Sequence, residues 1–294
     1  MSGPVVVGVD GSESSLAAAE AAAGAASIRG IGLRVVHAFV WPGLHAPLGS
    51  SPLGPAGGEL HQLVGRTVAE AVERARAVAP EVNVSHAVIG GEPVGVLAAQ
   101  SRAAALVVVG SRGLGTFNSL LLGSVAVHLA AHGHCPVMVV RGRPDPTGPV
   151  LLAVDGSPAG ERAVDFAFAE ASLRGAPLLA LHAWSTWTER VHHGPGNPPP
   201  TVLYDVDRLR GEEEQLLAEA LSGHLPRYPD VTIRRRLVHD RARPALIEAS
   251  ESAQLVVVGA RGRGGFAGLL LGSVSQALLH HAHCPVIVVR SDLP

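Results

Sequence analysis

The chain contains two copies of one sequence pattern, separated by about half its length. The segment Gly-Ser-Arg-Gly at residues 110–113 recurs as Gly-Ala-Arg-Gly at residues 259–262, and each copy follows the apolar run Leu-Val-Val-Val. Nearer the start, Val-Asp-Gly-Ser at residues 9–12 recurs at residues 154–157. Solenoid repeats have periods of about 20–50 residues, whereas the offsets here are 149 and 145 residues. We therefore expect two domains of the same fold in tandem.

The two expected domains, residues 1–142 and 149–294, are each long enough to bury an apolar core. The net charge of −2 argues against a nucleic-acid binder, which is typically strongly basic. All 23 basic residues are arginine, so lysine-dependent chemistry such as a P-loop or a Schiff base is excluded. No apolar run reaches the roughly 18 residues of a membrane span, and the first residues lack a signal-peptide pattern. A cytoplasmic protein is therefore expected.

Strand and helix patterns alternate through both halves. Continuous apolar runs such as residues 4–9 indicate parallel strands that are buried on both faces of a sheet. Amphipathic spacing predicts a helix over residues 60–79, after a Gly- and Pro-rich loop over residues 42–58. Further helices are predicted over residues 120–131 and 269–282. This alternation predicts an α/β fold with a doubly wound parallel sheet in each half.

One end of such a sheet carries residues suited to an anion. Ligands bind beyond the carboxyl ends of the strands, where the strand order reverses. Asp10 ends the first strand and Gly110 the fourth, so the two would face one crevice if these strands are neighbours. Glycine lets the backbone approach an anion closely, and successive N–H groups form a concave nest of donors. Gly123 and Ser124 would begin a helix, whose N-terminus also attracts anions, and Arg112 could add positive charge.

The role of Asp10, and of its counterpart Asp155, has two interpretations. The tripeptide Asp-Gly-Ser suits the N-cap of the following helix. Alternatively, the carboxylate contacts a ribose, or a metal ion bound to phosphates. The two roles can coexist, and the sequence leaves both open.

Taken together, these motifs resemble the universal stress protein family. The resemblance rests on three motifs in the same order in both halves. They are Val-x-Val-Asp-Gly-Ser near the start, which is Leu-x-Val-Asp-Gly-Ser in the second half, Gly-x2-Gly-x9-Gly-Ser after an apolar strand, and Cys-Pro-Val-x-Val-Val at the end. It implies a five-stranded parallel sheet of order 3-2-1-4-5 in each domain. The fifth strands, residues 136–141 and 286–290, are expected to pair with each other and form an intrachain pseudo-dimer. A further homodimer is implied by the resemblance alone.

The resemblance also implies one ATP site in each domain, with the need for Mg²⁺ left open. In the first domain the expected nucleotide-binding residues are Gly8, Asp10, Ala38, Gly110, Ser111, Arg112, Gly113, Gly115, Gly123 and Ser124. In the second domain they are Asp155, Ala183, Gly259, Arg261, Gly262, Gly264, Gly272 and Ser273. The second domain has Ala153 where the first has Gly8, and the extra methyl group is expected to weaken ATP binding there without abolishing it.

The predicted function is therefore that of an ATP-binding regulatory protein of the stress response. A slow ATP hydrolase and a nucleotide-independent interaction scaffold are the alternatives. The sequence has no Gly-x-Ser-x-Gly nucleophile motif, and no base or metal-ligand set accompanies the aspartates. A dedicated enzyme is not expected, and neither is a nucleic-acid or membrane partner.

Overall fold

The structure, a computed structural model, describes residues 3–39, 55–114, 122–185, 205–263 and 270–291, with the side chains of the second helix described from residue 62. Two expected nucleotide-binding residues, Gly115 and Gly264, lie outside the described residues. The helix predicted from residue 60 begins at Pro55, so the predicted loop is wrong for residues 55–58. Proline is favoured in the first helical turn because its missing N–H would have no partner there.

The first half alternates strands and helices along its whole length. Its elements are β1 (Val5–Gly8), α1 (Glu13–Arg29), β2 (Leu33–Phe39), α2 (Pro55–Val78), β3 (Val84–Gly90), α3 (Pro93–Gln100), β4 (Leu106–Gly110), α4 (Ser124–His132) and β5 (Val137–Val140). The second half repeats this order. Its elements are β6 (Val150–Val154), α5 (Glu161–Arg174), β7 (Leu178–Trp184), α6 (Val206–Ser222), β8 (Ile233–His239), α7 (Ala242–Ala249), β9 (Leu255–Gly259), α8 (Ser273–His281) and β10 (Val286–Val289).

The ten strands form one sheet with the order β3-β2-β1-β4-β5-β10-β9-β6-β7-β8. Neighbouring strands within each half are parallel, so each half has the predicted order 3-2-1-4-5. β5 and β10 run antiparallel, with Ile287 opposite Met138. This pairing covers two apolar edges that would otherwise expose unpaired backbone groups. The predicted fold class and the intrachain pseudo-dimer are confirmed.

Helices cover both faces of the sheet. The helices α1, α2, α5 and α6 form one layer, in which Leu16 belongs to the same core as Val5 and Val7 of β1. The helices α3, α4, α7 and α8 form the other, in which Leu129 belongs to the same core as Val6. Because both faces are covered, the central strands carry apolar side chains on both sides. Among the described residues, every helix is too short or too polar to span a bilayer.

A buried carboxylate also joins the two halves. Glu170 on α5 is only 1% exposed and accepts hydrogen bonds from Arg29 at the end of α1 and from Arg174 Nε, the latter at 3.0 Å. Burial, together with the positive charge of Arg174, lowers the pKa of Arg29 to about 10. Removing one partner of a buried ion pair leaves an uncompensated charge and is strongly destabilising. Glu170 therefore ties the first helix of one half to its counterpart in the other.

Two helices begin later than the sequence predicted. The helices expected over residues 120–131 and 269–282 begin at Ser124 and Ser273. The glycine before each start has extended backbone, with φ −74° and ψ 148° in the first half and φ −73° and ψ 161° in the second. Each helix therefore begins at the serine of its Gly-Ser pair, as predicted for the anion site. The helix N-termini point to the carboxyl ends of the strands.

Candidate functional site

The carboxyl ends of β1 and β4 lie side by side, because these strands are neighbours in the sheet. Asp10 follows β1, and its Oδ2 accepts a hydrogen bond from the backbone N–H of Leu114 at 2.8 Å. In the second half, Asp155 Oδ2 accepts a hydrogen bond from the N–H of Arg263, also at 2.8 Å. Each aspartate therefore lies against the segment that follows the fourth strand of its own half, residues 110–114 or 259–263, which we call the glycine loop.

The contact with the aspartate explains the second glycine of each loop. A Cβ atom built on Gly113 would overlap Asp10 Oδ2, and one built on Gly262 would overlap Asp155 Oδ2. Any larger residue must displace either the loop or the carboxylate. Gly110 is constrained from the other side, since a Cβ there would lie 2.6 Å from the carbonyl oxygen of Ser14 in α1.

The other carboxylate oxygen of Asp10 orders the start of α1. Asp10 Oδ1 accepts hydrogen bonds from the N–H and the hydroxyl of Ser12, at 3.0 and 2.6 Å. Ser12 is itself the N-cap, and its Oγ accepts a hydrogen bond from the N–H of Ser15 at 3.2 Å. The N-cap interpretation of Asp10 is therefore wrong, because its side chain is held between the serine turn and the glycine loop. Asp155 makes the same pair of bonds to Ser157, at 3.0 and 2.8 Å.

The surroundings of Asp10 change its acidity. Burial raises the pKa of the carboxyl group, but hydrogen bonds from the hydroxyl and N–H of Ser12, the N–H of Leu114 and the side chain of Ser15 outweigh it. The net pKa is below the ordinary value, so the carboxylate is ionised at neutral pH and its oxygens act as acceptors.

Replacing Asp10 with asparagine should therefore lower stability in a pH-dependent way. A carboxyl group with a lowered folded pKa stabilises the protein above its unfolded pKa, and that stabilisation is lost as pH falls through the folded value. We expect Asp10→Asn to cost about 1–2 kcal/mol at pH 7, with the difference from wild type shrinking below about pH 4. Thermal unfolding of both proteins between pH 2 and 7 measures this, with the exposed Asp207→Asn as a control. A difference in stability that stays constant with pH would contradict the prediction.

A cavity of about 380 Å³ opens next to Asp10 in the first half. Eight expected residues line it: Gly8, Asp10, Ala38, Gly110, Arg112, Gly113, Gly123 and Ser124. Ser111 instead holds the loop in place, since its N–H donates to the carbonyl of Val140 at 3.1 Å and its carbonyl accepts from the N–H of Gly123 at 2.8 Å.

The cavity has two chemically different walls. Apolar side chains from β2, α3 and β4 form one wall, including Val36, Leu97 and Val109. The glycine loop and the N-terminus of α4 form the other, where Gly123 provides no side-chain cap for the helix. The first N–H groups of a helix have no partner within the helix, so this wall can donate hydrogen bonds to an anion. The cavity thus suits a ligand with a flat apolar part and an anionic tail.

The α3 residues of the cavity were missed by sequence reasoning. Pro93 and Leu97 line the site, and a Cβ on Gly8 would lie 2.6 Å from Leu97 Cδ1. A methyl group at this position would therefore require the flexible end of Leu97 to shift. Proline is typical of the first turn of a helix, but the sequence of this segment does not show which strand ends the helix covers.

The second half keeps most of the expected site residues of the first half and adds one side-chain hydroxyl. Asp155, Gly259, Gly262, Gly272 and Ser273 occupy places equivalent to those of the first half. Ser275 replaces Ala126, and its Oγ lies 3.0 Å from the carbonyl oxygen of Ala260 and 2.9 Å from that of Gly272. This hydroxyl links the glycine loop to the start of α8, a bond that the alanine of the first half cannot make.

A histidine precedes each of the expected nucleotide-binding residues Ala38 and Ala183, and both imidazoles have structural partners. His37 Nδ1 lies 2.8 Å from the carbonyl oxygen of Val9, and His182 Nδ1 lies 2.7 Å from that of Val154. His182 Nε2 is also 2.7 Å from a carboxylate oxygen of Glu213 on α6. The alternation of β2 and β7 directs Ala38 and Ala183 to the opposite face, where they pack in the core beside α3 and α7. Arg261 lies in the second loop with an exposed side chain.

The sequence profile of the Universal stress protein family matches residues 1–141 and 147–290. A universal stress protein of Mycobacterium tuberculosis (strain ATCC 25618 / H37Rv) is 42% identical over 308 residues, which cover 97% of this chain and 94% of that protein. Another from the same strain is 43% identical over 302 residues, covering 98% and 97%. The crystal structure of a universal stress protein from Archaeoglobus fulgidus DSM 4304 is similar, with a TM-score of 0.68, 20% identity and 99% of both chains covered. The chain therefore belongs to the universal stress protein family, as a tandem member with two copies of the family pattern.

Proposed function

We propose that the chain binds ATP at one site in each half, residues 1–142 and 149–294, and acts as a regulatory protein of the stress response. The observation that carries this proposal is the cavity beside Asp10, with an apolar wall facing a wall of backbone N–H donors. Adenine would pack against the apolar wall near Ala38, and the phosphates would accept hydrogen bonds from the glycine loop and the start of α4. Arg112 lines the same cavity and adds positive charge.

Asp10 and Asp155 have two functions in this proposal. Each orders its glycine loop through the hydrogen bonds described above, and each places a carboxylate where a ribose hydroxyl or a phosphate-bound Mg²⁺ could bind. If Mg²⁺ accompanies ATP, these carboxylates are its protein ligands, because hard cations prefer oxygen donors.

We propose binding rather than hydrolysis as the activity. Among the described residues that line the cavity, the only carboxylate is Asp10, whose oxygens already accept hydrogen bonds and whose pKa is lowered. A general base works best with a pKa near the operating pH, so this carboxylate is a weak candidate for activating water. Nucleotide occupancy would instead favour one conformation or assembly of the protein through differential contacts.

The protein purified under native conditions is expected to carry an adenine nucleotide. Mass spectrometry of the released small molecules should identify ATP or its product, and calorimetry of the stripped protein should give two sites per chain, the second-half site being weaker. Phosphate release should not rise linearly with protein concentration. An absence of both bound nucleotide and calorimetric binding would favour the scaffold alternative, and linear phosphate release would favour the hydrolase.

We also propose a cytoplasmic location and, from the family resemblance alone, a homodimer. The chain has a mass of 30.1 kDa, so light scattering should give twice that value for the dimer. A mass that remains at the single-chain value across the micromolar range would contradict the homodimer.

A further inference from the structure

The helices α4 and α8 each run from the glycine loop of one half to a contact with the opposite half. α4 starts at the cavity of the first half, and the carbonyl of Ala131 in its last turn accepts a hydrogen bond from Arg290 Nη1 of the second half. α8 starts at the loop of the second half, and Arg141 Nη1 of the first half donates to the carbonyls of Leu278, at 3.2 Å, and of Leu279. In both contacts an arginine that follows the last strand of one half donates to carbonyls in the last turn of a helix of the other half.

Each arginine is also linked to the glycine loop of its own half. Val140, the residue before Arg141, accepts the hydrogen bond from the N–H of Ser111 at 3.1 Å. In the second half, Val289 precedes Arg290 and accepts from the N–H of Ala260 at 2.8 Å.

These bonds close a ring through both candidate sites. The loop carbonyls continue the path, since Gly123 N–H donates to Ser111 at 2.8 Å and Gly272 N–H donates to Ala260 at 2.7 Å. The path therefore runs from the first loop through Arg141 and α8 to the second loop, and returns through Arg290 and α4. Each step is a hydrogen bond, a covalent link or a rigid helix.

The charges along this ring indicate whether a ligand in one half would strengthen or weaken binding in the other half. A helix carries partial positive charge at its N-terminus and partial negative charge at its C-terminus, so an anion at one end and an arginine at the other both stabilise it. Burial lowers the pKa of Arg141, the neighbouring Cys284 opposes this, and the positive charge of Arg112 lowers it further. A phosphate on the first loop would offset the charge of Arg112 and strengthen the hold of Arg141 on α8.

We propose that Arg141 and Arg290 couple the two nucleotide sites, so that an anionic ligand bound in one half raises the affinity of the other half. The inference rests on the proposed function, because it requires that both sites bind nucleotide. By linkage, the factor by which the first site affects the second must equal the factor in the reverse direction.

The test measures ATP affinity in one half while the other half is disabled. With the first site blocked by Gly113→Glu, we expect the second site to bind about fivefold more weakly, or worse, than it does in the wild type with both sites filling. Gly262→Glu should weaken the first site by the same factor. In proteins that also carry Arg141→Gln and Arg290→Gln, blocking one site should leave the affinity of the other unchanged. Arg143→Gln, an exposed arginine two residues beyond Arg141, is the matched control and should preserve the coupling.

A second measurement does not depend on nucleotide. Hydrogen exchange of the ligand-free protein should show faster exchange in the last turn of α8 for Arg141→Gln and of α4 for Arg290→Gln, with Arg141→Lys partly restoring protection. Independent sites in the wild type, or coupling that survives both glutamine substitutions, would overturn the inference and leave the proposed function intact. Absence of nucleotide binding in the wild type would overturn both.

Discussion

Gly113→Glu is expected to abolish ATP binding in the first half while leaving a site in the second half. A Cβ at this position overlaps Asp10 Oδ2, so the loop or the carboxylate must move. The added glutamate also places a negative charge beside a carboxylate and in the region proposed for the phosphates. Like charges in a partly buried site repel strongly, so we expect the affinity of that site to fall about 100-fold or more.

Calorimetry of the variant measures this effect as a stoichiometry of one nucleotide per chain. Gly262→Glu should abolish binding in the second half and leave the site in the first half, since a Cβ there overlaps Asp155 Oδ2. Gly65→Glu is the matched control, because Gly65 is exposed on α2 and a Cβ there meets no atom within 4 Å. Retained wild-type affinity at both sites in the double variant would refute the assignment of these loops to phosphate.

Gly142→Ala is expected to destabilise the junction between the halves by about 3 kcal/mol. Gly142 has φ +60°, a conformation that costs other residues about 1 kcal/mol. In addition, a Cβ there would overlap the carbonyl oxygen of His283 in the second half. That carbonyl accepts the hydrogen bond from the N–H of Arg143 at 2.8 Å, so moving the backbone away breaks this contact as well.

The comparison with Gly175→Ala separates conformational strain from overlap. Gly175 has φ +58°, but a Cβ there meets no atom within 4 Å. It should therefore cost only about 1 kcal/mol. Differential scanning calorimetry should show a fall in Tm of about 6 °C or more for Gly142→Ala, and a fall about one third as large for Gly175→Ala. Equal shifts would mean that the overlap at His283 is relieved without cost.

The architecture was predictable because it follows from patterns that are local in sequence. Apolar runs on β1 and β4 are long enough to be recognised as doubly buried strands, and the alternation with helices implies parallel pairing. The repetition of the pattern then implies a second sheet of the same kind. The sheet order and the pairing of the fifth strands came from the family resemblance, and the structure confirms both.

The ends of elements were less predictable, because glycine permits several conformations. The sequence marked Gly123 as part of a helix start, but not that its backbone is extended and that α4 begins after it. The start of α4 at Ser124, rather than at residue 120 as predicted, decides which N–H groups face the cavity. The same holds for α2, whose start at Pro55 lies inside a segment with the composition of a loop.

The sequence by itself determined the duplication, the fold class and the presence of a glycine loop beside an aspartate in each half. Only the tertiary structure decided that Asp10 is held between Ser12 and Leu114, that Leu97 lies beside Gly8, and that Glu170 is buried between the halves. It also decided that Arg141 and Arg290 each donate hydrogen bonds to the last turn of a helix in the opposite half. The reason is physical. Periodicity in the sequence shows which face of a helix or strand is apolar, whereas these contacts depend on which atoms of distant segments meet when the chain folds.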